Sequence, residues 1–349
     1  MQEVEPTTAS RVREEIAWAS SRPNPLVLLS CTAREGVDFA ITPRRSALGY
    51  NCIGMMFGSE KAVLRVLPLL AGGIRNVLVD VEGKKSFDLV GLAKAYLSGA
   101  TIIPCKPNDA TLEAFCFLLR KYAKMEIPDK SVVVYAMGNL GTKIAMRLAE
   151  CGARVTVVSR DRNKCARVCD AMNLVLPRYC RHKIVCAGSL ADLERGGFDI
   201  LVSCASGHSV ISAQTVSILR PEAIAVDVGI DNFSPEFYLH AERMNLRCFR
   251  LDTRLGFPYM LLPLLENSDP VFVRLCGSAI LKNGVRIVSG GCVGERGNVI
   301  VDNVENPAQI IGVANGTGGI LPDDKLDADL RLQIEKVVAY IQSRVEARD

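Results

Sequence analysis

The feature that most constrains the fold is a ten-residue stretch near the middle of the chain, Val132-Val133-Val134-Tyr135-Ala136-Met137-Gly138-Asn139-Leu140-Gly141. It closes an apolar, β-branched run and opens a helical one. Against the pattern G-x-G-x-x-G, Ala136 stands at the first glycine, and Gly138 and Gly141 stand at the other two. Glycine at 138 lets the backbone approach a pyrophosphate, and glycine at 141 lets the helix pack close to the strand. The N–H groups of Asn139 and Leu140, at the positive end of the helix dipole, then face the phosphates. A strand before and a helix after give the motif the context that a lone glycine pattern lacks, so it predicts a dinucleotide site.

The rest of the chain fits around this turn. Residues 26–31, 76–81 and 101–105 read as buried parallel strands, with helices over 59–70, 87–98 and 110–125. After a turn at Ile127-Pro128-Asp129-Lys130, strands are predicted at 131–137, 154–160, 183–187, 199–205 and 223–230, with a weaker sixth at 248–251. Such alternation argues for βαβ units. Beyond about residue 265 the character changes to short β-like runs split by glycine, at 271–276, 285–290, 298–302 and 309–314, and then to a charged amphipathic helix over 325–347. The expected fold is α/β. An N-terminal α/β substrate domain spans 1–128, and a doubly wound parallel-sheet Rossmann domain spans 129–255. A C-terminal extension over 256–349 carries a β-rich module and a final helix that returns to the first domain.

Composition narrows the partners. The 42 basic and 38 acidic residues are interspersed and leave a net charge of +4, which gives no case for nucleic acid or a membrane surface; the partner expected with the dinucleotide site is a small-molecule substrate. No apolar run reaches the ~18–20 residues of a spanning helix. The first 25 residues contain Glu3, Glu5, Glu14 and Glu15 and lack an apolar signal core, so a cytoplasmic protein is expected. The 13 cysteines are then read as buried small hydrophobes.

The second Rossmann strand ends about 20 residues beyond the glycine turn, where NAD-specific folds place an acidic residue on the ribose. Here the chain reads Ser159-Arg160-Asp161-Arg162. A guanidinium can clamp a 2′-phosphate with paired hydrogen bonds, so Ser159, Arg160 and Arg162 predict NADP(H). Asp161 leaves open a ribose contact of the NAD type. Ser206-Gly207 and Val228-Gly229 follow the next strands at their carboxyl ends, where they are expected to line the nicotinamide side of the crevice.

With these motifs in order, the chain resembles the shikimate/quinate dehydrogenase family, within the wider amino-acid-dehydrogenase-like group, over roughly residues 50–265. Ser59-Glu60-Lys61-Ala62-Val63-Leu64 resembles the family's P-x-K-x-x-x-L stretch, and Pro107-Asn108-Asp109 resembles its N-T-D-G stretch. Val157-Val158-Ser159-Arg160 is similar to its V-x-N-R-T segment, Ala225–Ile230 with Ser234-Pro235 to its V-x-D-x-x-Y-x-P segment, and Gly256–Leu262 to its G-x-x-M-L segment. The resemblance implies Lys61 and Asp109 as a catalytic pair. A lysine beside a carboxylate can exchange the hydroxyl proton while hydride moves. Without the resemblance, Lys61 reads as a surface residue and Asp109 as a helix cap. Lys84 and Lys85, after Gly83, are the second choice of proton donor. The family's S-x-S carboxylate motif is absent, and Pro263-Leu264-Leu265 stands where it has a glutamine. Another small anionic hydroxy or keto substrate is therefore expected, with Arg44 or Arg45 as anion ligand. Two alternatives stay open: an enzyme acting on C–N bonds, such as an imine reductase or a methylene-tetrahydrofolate-type dehydrogenase, and a nucleotide-binding regulatory subunit without chemistry.

Cys165, Cys169, Cys180, His182 and Cys186 crowd into 22 residues. They contain no C-x-x-C knuckle, and no metal is expected. The glycine-rich loops at 290–297 and 316–319 read as tight turns, with room for a homodimer contact.

Overall fold

In the computed structural model of the chain, residues 7–123, 127–265 and 271–346 are described. The chain divides into two compact units, Met1–Leu261 and Leu262–Asp349. Among the described residues no helix is long and apolar enough to cross a membrane.

The first unit carries two sheets. After α1 (Thr8–Ser20), the first is built from β1 (Pro25–Cys31), β2 (Phe39–Ala47), β3 (Tyr50–Phe57), β4 (Asn76–Asp80) and β5 (Thr101–Cys105), in the order β2-β3-β1-β4-β5. Only β2 runs antiparallel, paired to β3. The connecting helices are α2 (Glu60–Leu70) and α3 (Leu89–Tyr96), and α4 (Pro107–Tyr122) follows β5. Their starts are local. Ser59 caps α2, Asp88 caps α3, and Pro107 fits the first turn of α4, where its missing N–H costs nothing. The β2–β3 hairpin is absent from the sequence expectation. Its first strand holds Pro43, Arg44 and Arg45, which break any alternation, and the ladder slips register between Thr42 and Arg45, so that Pro43 falls within the irregularity.

The second sheet contains β6 (Ser131–Tyr135), β7 (Arg154–Val158), β8 (Val185–Ala187), β9 (Phe198–Ser203), β10 (Leu219–Asp227) and β11 (Arg247–Arg250). All its pairings are parallel, in the order β11-β10-β9-β6-β7-β8. Counted within the sheet this is 6-5-4-1-2-3, the doubly wound order of the Rossmann fold, with its switch point between β6 and β9. Helices α5 (Asn139–Glu150) and α6 (Arg162–Val175) cover one face, where Ile144, Leu148, Cys165 and Met172 meet Val132, Val134 and Val157. Helix α7 (Pro235–Arg243) covers the other, with Phe237 and Ala241 against Val133, Leu201 and Ala225.

Helix α4 joins the two halves of this unit. It follows a strand of the first sheet, yet it buries Leu112, Phe115, Leu118 and Leu119 in the core of the second. The sequence reading runs this helix to residue 125; it ends at Tyr122, and residues 124–126 lie outside the described residues.

In the second unit, α8 (Phe257–Leu265) leads across the boundary to α9 (Val271–Cys276) and a four-stranded sheet of β12 (Ser278–Ile280), β13 (Arg286–Ser289), β14 (Val299–Val301) and β15 (Ile310–Val313). Residues 271–276 are helical, not β, since an apolar run this short carries no period that separates the two. The sequence sends the final helix, α10 (Ala328–Glu346), back to the first domain. In the structure its Val337, Tyr340 and Ile341 belong to the core of the second unit, beside Ile287, Val299 and Val301.

Candidate active site

The turn after β6 bends sharply. Ala136 sits at φ +75°, the left-handed region that glycine enters freely and alanine rarely does. A Cβ on Gly141 would lie 2.0 Å from the Ala136 carbonyl oxygen, so only glycine lets α5 start so close to the strand. The Cβ position of Gly138 meets nothing within 4 Å. Gly138 caps α5 without a side chain, which leaves the first N–H groups of the helix open to an anion. A pyrophosphate fits this cradle: open space at Gly138, Asn139 and Leu140 in the first turn, and close packing only at Gly141. Ala136→Gly is expected to raise stability by ~0.5–1 kcal/mol, the left-handed strain of ~1–2 kcal/mol less the chain entropy that glycine adds. A rise in the denaturant midpoint at unchanged slope checks it.

On one side of the cradle lies a cavity of about 610 Å³ lined by Tyr135, Ser159, Arg160, Gly188, Ser189 and Arg195, among others. Its volume suits an adenosine moiety. Asp161 is spent as the cap of α6, accepting from the Lys164 amide at 2.9 Å. Arg162 is not in the cavity lining. It lies over Gly188, whose Cβ would stand 3.4 Å from its Nη1.

On the other side, the loops after β9 and β10 are tied together by Asn232, which is fully buried. Its Nδ2 donates to the carbonyls of Ala205 and Gly207 at 3.1 and 2.8 Å, and its Oδ1 accepts from Ser203 Oγ at 2.8 Å. Ser206, Gly207, Val228 and Gly229 therefore lie on two loops held by one side chain. Ile230 and Asp231 both take positive φ, at 68° and 58°. Nothing in the sequence marks Asn232, since a buried asparagine has no spacing signature. Asn232→Ala leaves several buried groups unpaired and is expected to cost about 2 kcal/mol of stability, read from chemical unfolding.

The carboxyl edge of the first sheet faces these loops. Arg34, just after β1, donates to the carbonyl oxygens of Gly229 and Ile230. Glu82, just after β4, lies with its Oε1 3.6 Å from Lys143 Nζ on α5. Asn108 Nδ2 donates to Asn139 Oδ1 at 3.1 Å. Strands β1 and β4 are neighbours, and the chain reverses its winding between them, so this edge has its own switch point.

The structure does not bring Lys61 and Asp109 together. Lys61 stands exposed on α2. Its neighbour is Asp38, whose carboxyl is held below its ordinary value first by a hydrogen bond from Ser59 and in part by Lys61. Asp109, in the first turn of α4, takes Lys143 on one oxygen and Lys106 on the other at 3.0 Å. Burial would raise its pKa, but these two lysines lower it. The cause is strand order. Helix α2 follows β3 and α4 follows β5, and β1 and β4 lie between them. Three strand spacings separate the two helix starts by about 14 Å.

The second-choice lysine lies at the switch point. Lys84 Nζ is 2.9 Å from Asp80 Oδ2 and 2.8 Å from Glu82 Oε2, with side chains 15%, 2% and 5% exposed. Asp80 is fixed by the amides of Cys31 and Glu82, and Glu82 by the amide of Asn108. Burial alone would lower the Lys84 pKa; Asp80 and Glu82 outweigh it and hold the ammonium above the ordinary lysine value. Two of its three protons face carboxylates, and the third remains for a ligand oxygen. Glu82 Oε1 is buried without a hydrogen-bond partner among the described residues. Lys85 lines the adjoining cavity of about 250 Å³ with Cys31, Asp80 and Lys84.

Of the two arginines considered for an anion, Arg44 is engaged by Glu15 at 2.8 and 3.0 Å. Arg45 is 9% exposed and donates to the hydroxyls of Thr42 and Thr253, with no carboxylate paired to it among the described residues. Of the cysteine cluster, the thiols of Cys165, Cys169 and Cys186 lie within 4.8 Å of one another. Cys180 turns to the Ala149 carbonyl, and His182 pairs with Asp129.

No protein-family model matches the chain, and no curated protein matches it. Among solved structures it is similar to the dipicolinate synthase A chain from Bacillus subtilis, at 16% identity and a TM-score of 0.39, covering 70% of this chain and 75% of that one. It is similar to a shikimate dehydrogenase in complex with NADP+, at 14% identity and TM-score 0.43, covering 68% and 89%. It is also similar to L-tryptophan dehydrogenase from Nostoc punctiforme, at 11% and 0.41, covering 71% and 76%. The Rossmann assignment rests on the strand order of the second sheet.

Proposed function

We propose that the chain is an NADP(H)-dependent oxidoreductase that moves a hydride to or from a small, anionic hydroxy or keto substrate. The observation that carries this reading is the Lys84–Asp80–Glu82 group at the carboxyl edge of one sheet, opposite the switch point of a Rossmann sheet. The proposed cofactor contacts are Ala136, Gly138, Asn139, Leu140 and Gly141 at the pyrophosphate, Ser159 and Arg160 at the adenosine phosphate, and Ser206, Gly207, Val228 and Gly229 at the nicotinamide. When bound, the nicotinamide supplies or accepts the hydride.

The chain's own residues handle the oxygen. In the direction of reduction, the third proton of Lys84 goes to the carbonyl oxygen as negative charge develops there. Asp80 and Glu82 hold the ammonium in place, and its raised pKa keeps it charged until that moment. Glu82 Oε1, buried and without a hydrogen-bond partner among the described residues, accepts a hydrogen bond from a substrate hydroxyl. Lys143, anchored to Asp109, lies beside that oxygen and gives an anionic substrate a counter-charge. Lys61 has no part in this scheme.

Titrating the chain with NADPH and with NADH, by cofactor fluorescence, tests the cofactor half. NADPH is expected to bind the more tightly, and equal affinities would overturn the assignment. Screening small hydroxy and keto acids for nicotinamide turnover tests the other half.

A further inference from the structure

We propose that Cys165, Cys169 and Cys186 form a three-thiol site for a trivalent thiophilic centre, arsenic(III) presented as arsenite. Cys165 and Cys169 lie one turn apart on the same face of α6, and Cys186 lies on β8 opposite them. Their three sulfurs lie within 4.8 Å of one another, close enough to share one ion. Cys165 is 0% exposed, Cys169 is 3% exposed, and Cys186 is half-buried and offers the way in. The surroundings are apolar: Ile144, Val155, Val157, Met172 and Ile184 belong to the same core.

Coordination number and charge select the ligand. No fourth histidine, cysteine or carboxylate among the described residues joins the three. Zinc in structural sites takes four ligands in a tetrahedron, so this set is incomplete for it. Three thiolates on a divalent ion would leave one net negative charge in the core, and three on monovalent copper would leave two. Each uncompensated buried charge costs several kcal/mol. A trivalent centre with three thiolates is neutral.

The chemistry balances without a redox partner. Arsenous acid, As(OH)3, exchanges its three hydroxyls for three thiols. Three As–O and three S–H bonds break, three As–S bonds form, and three waters leave carrying the thiol protons. Arsenic stays trivalent and no net charge is created. The product staples α6 to β8, whose following residues Gly188, Ser189 and Leu190 line the 610 Å³ cavity.

The full chain incubated with sodium arsenite, then desalted, tests this by native mass spectrometry and by thiol titration after unfolding in acid. One arsenic per chain and three fewer titratable thiols are expected, with a raised melting temperature. Cys186→Ser should lower the affinity at least tenfold, and Cys151→Ser, at an exposed thiol elsewhere, should change nothing. X-ray absorption at the arsenic edge of the wild-type complex is independent of how any variant folds, and it should show three sulfur neighbours and no oxygen. No uptake by the wild type, oxygen in the arsenic shell, equal uptake by a folded Cys186→Ser chain, or displacement of arsenite by equimolar zinc would each overturn the proposal.

Discussion

Lys84→Met is expected to lower kcat by about 10²–10⁴, the range for a positioned proton donor, with little change in NADPH affinity. Methionine keeps the length and apolar stem of the side chain and removes the three donors. The expected split follows from its contacts: Lys84 pairs with Asp80 and Glu82 of the first sheet, and among the described residues no hydrogen bond or ion pair joins it to the glycine turn, so the dinucleotide should still bind. The same substitution removes the cation that Asp80 shares with Glu82 and leaves Glu82 with Lys143 alone, and breaking such a buried group costs roughly 3–5 kcal/mol. Chemical unfolding of the variant, read beside its kcat, separates this structural cost from the catalytic one. Lys61→Met is the control. Exposed and beside Asp38, it should change neither kcat nor stability measurably. A Lys61 variant that loses activity while Lys84→Met keeps it would reverse the assignment.

Arg160→Ala is expected to weaken NADPH by roughly 1–3 kcal/mol while leaving NADH nearly unchanged. The guanidinium lines the cavity at the end of β7, where a 2′-phosphate would stand, and it forms no ion pair among the described residues. Nothing else has to rearrange when it is removed. The neighbouring acid cannot take over its role cheaply, because Asp161 already holds the first turn of α6. Arg162→Ala should have the smaller effect, since its guanidinium lies over Gly188 rather than in the cavity lining. Fluorescence titrations of the three proteins with both cofactors check the ranking. A uniform loss for NADPH and NADH alike would mean that Arg160 supports the fold and does not read the phosphate.

The second sheet was legible because its inner strands β6, β7 and β9 are apolar, β-branched runs closed by polar or glycine-bearing turns, while the edge strands β8 (Val-Cys-Ala) and β11 (Arg-Cys-Phe-Arg) carry a weaker signal. The period changes from strand to helix at each boundary. The site was legible only in part. The glycine turn is a local feature, and its residues lie together in the sequence. The group proposed to handle the proton is local too, written as Asp80-Val81-Glu82-Gly83-Lys84, with acids and lysine on alternate positions after a buried strand. Its importance comes from strand order, which sequence does not carry. β1 and β4 stand between β3 and β5, and that keeps the Lys61 helix away from the Asp109 helix. The β2–β3 hairpin carries no alternating signal, because Pro43, Arg44 and Arg45 interrupt the pattern of a strand. The three-thiol group needed the pairing of β7 with β8 to bring Cys186 to α6. Asn232 needed two loops to be seen at once.

The contacts across the cleft of the first unit differ in a way that ionic strength should expose. Arg34 reaches carbonyl oxygens, which carry no net charge. The opposite side sets Lys143 between Asp109 and Glu82, all of them charged, beside the neutral Asn108–Asn139 hydrogen bond. Added salt screens the charged contacts far more than the neutral ones. Rising salt should therefore weaken the Lys143 contacts first and leave the Arg34 and Asn108 contacts in place, so that the cleft keeps two fastenings that ionic strength does not reach.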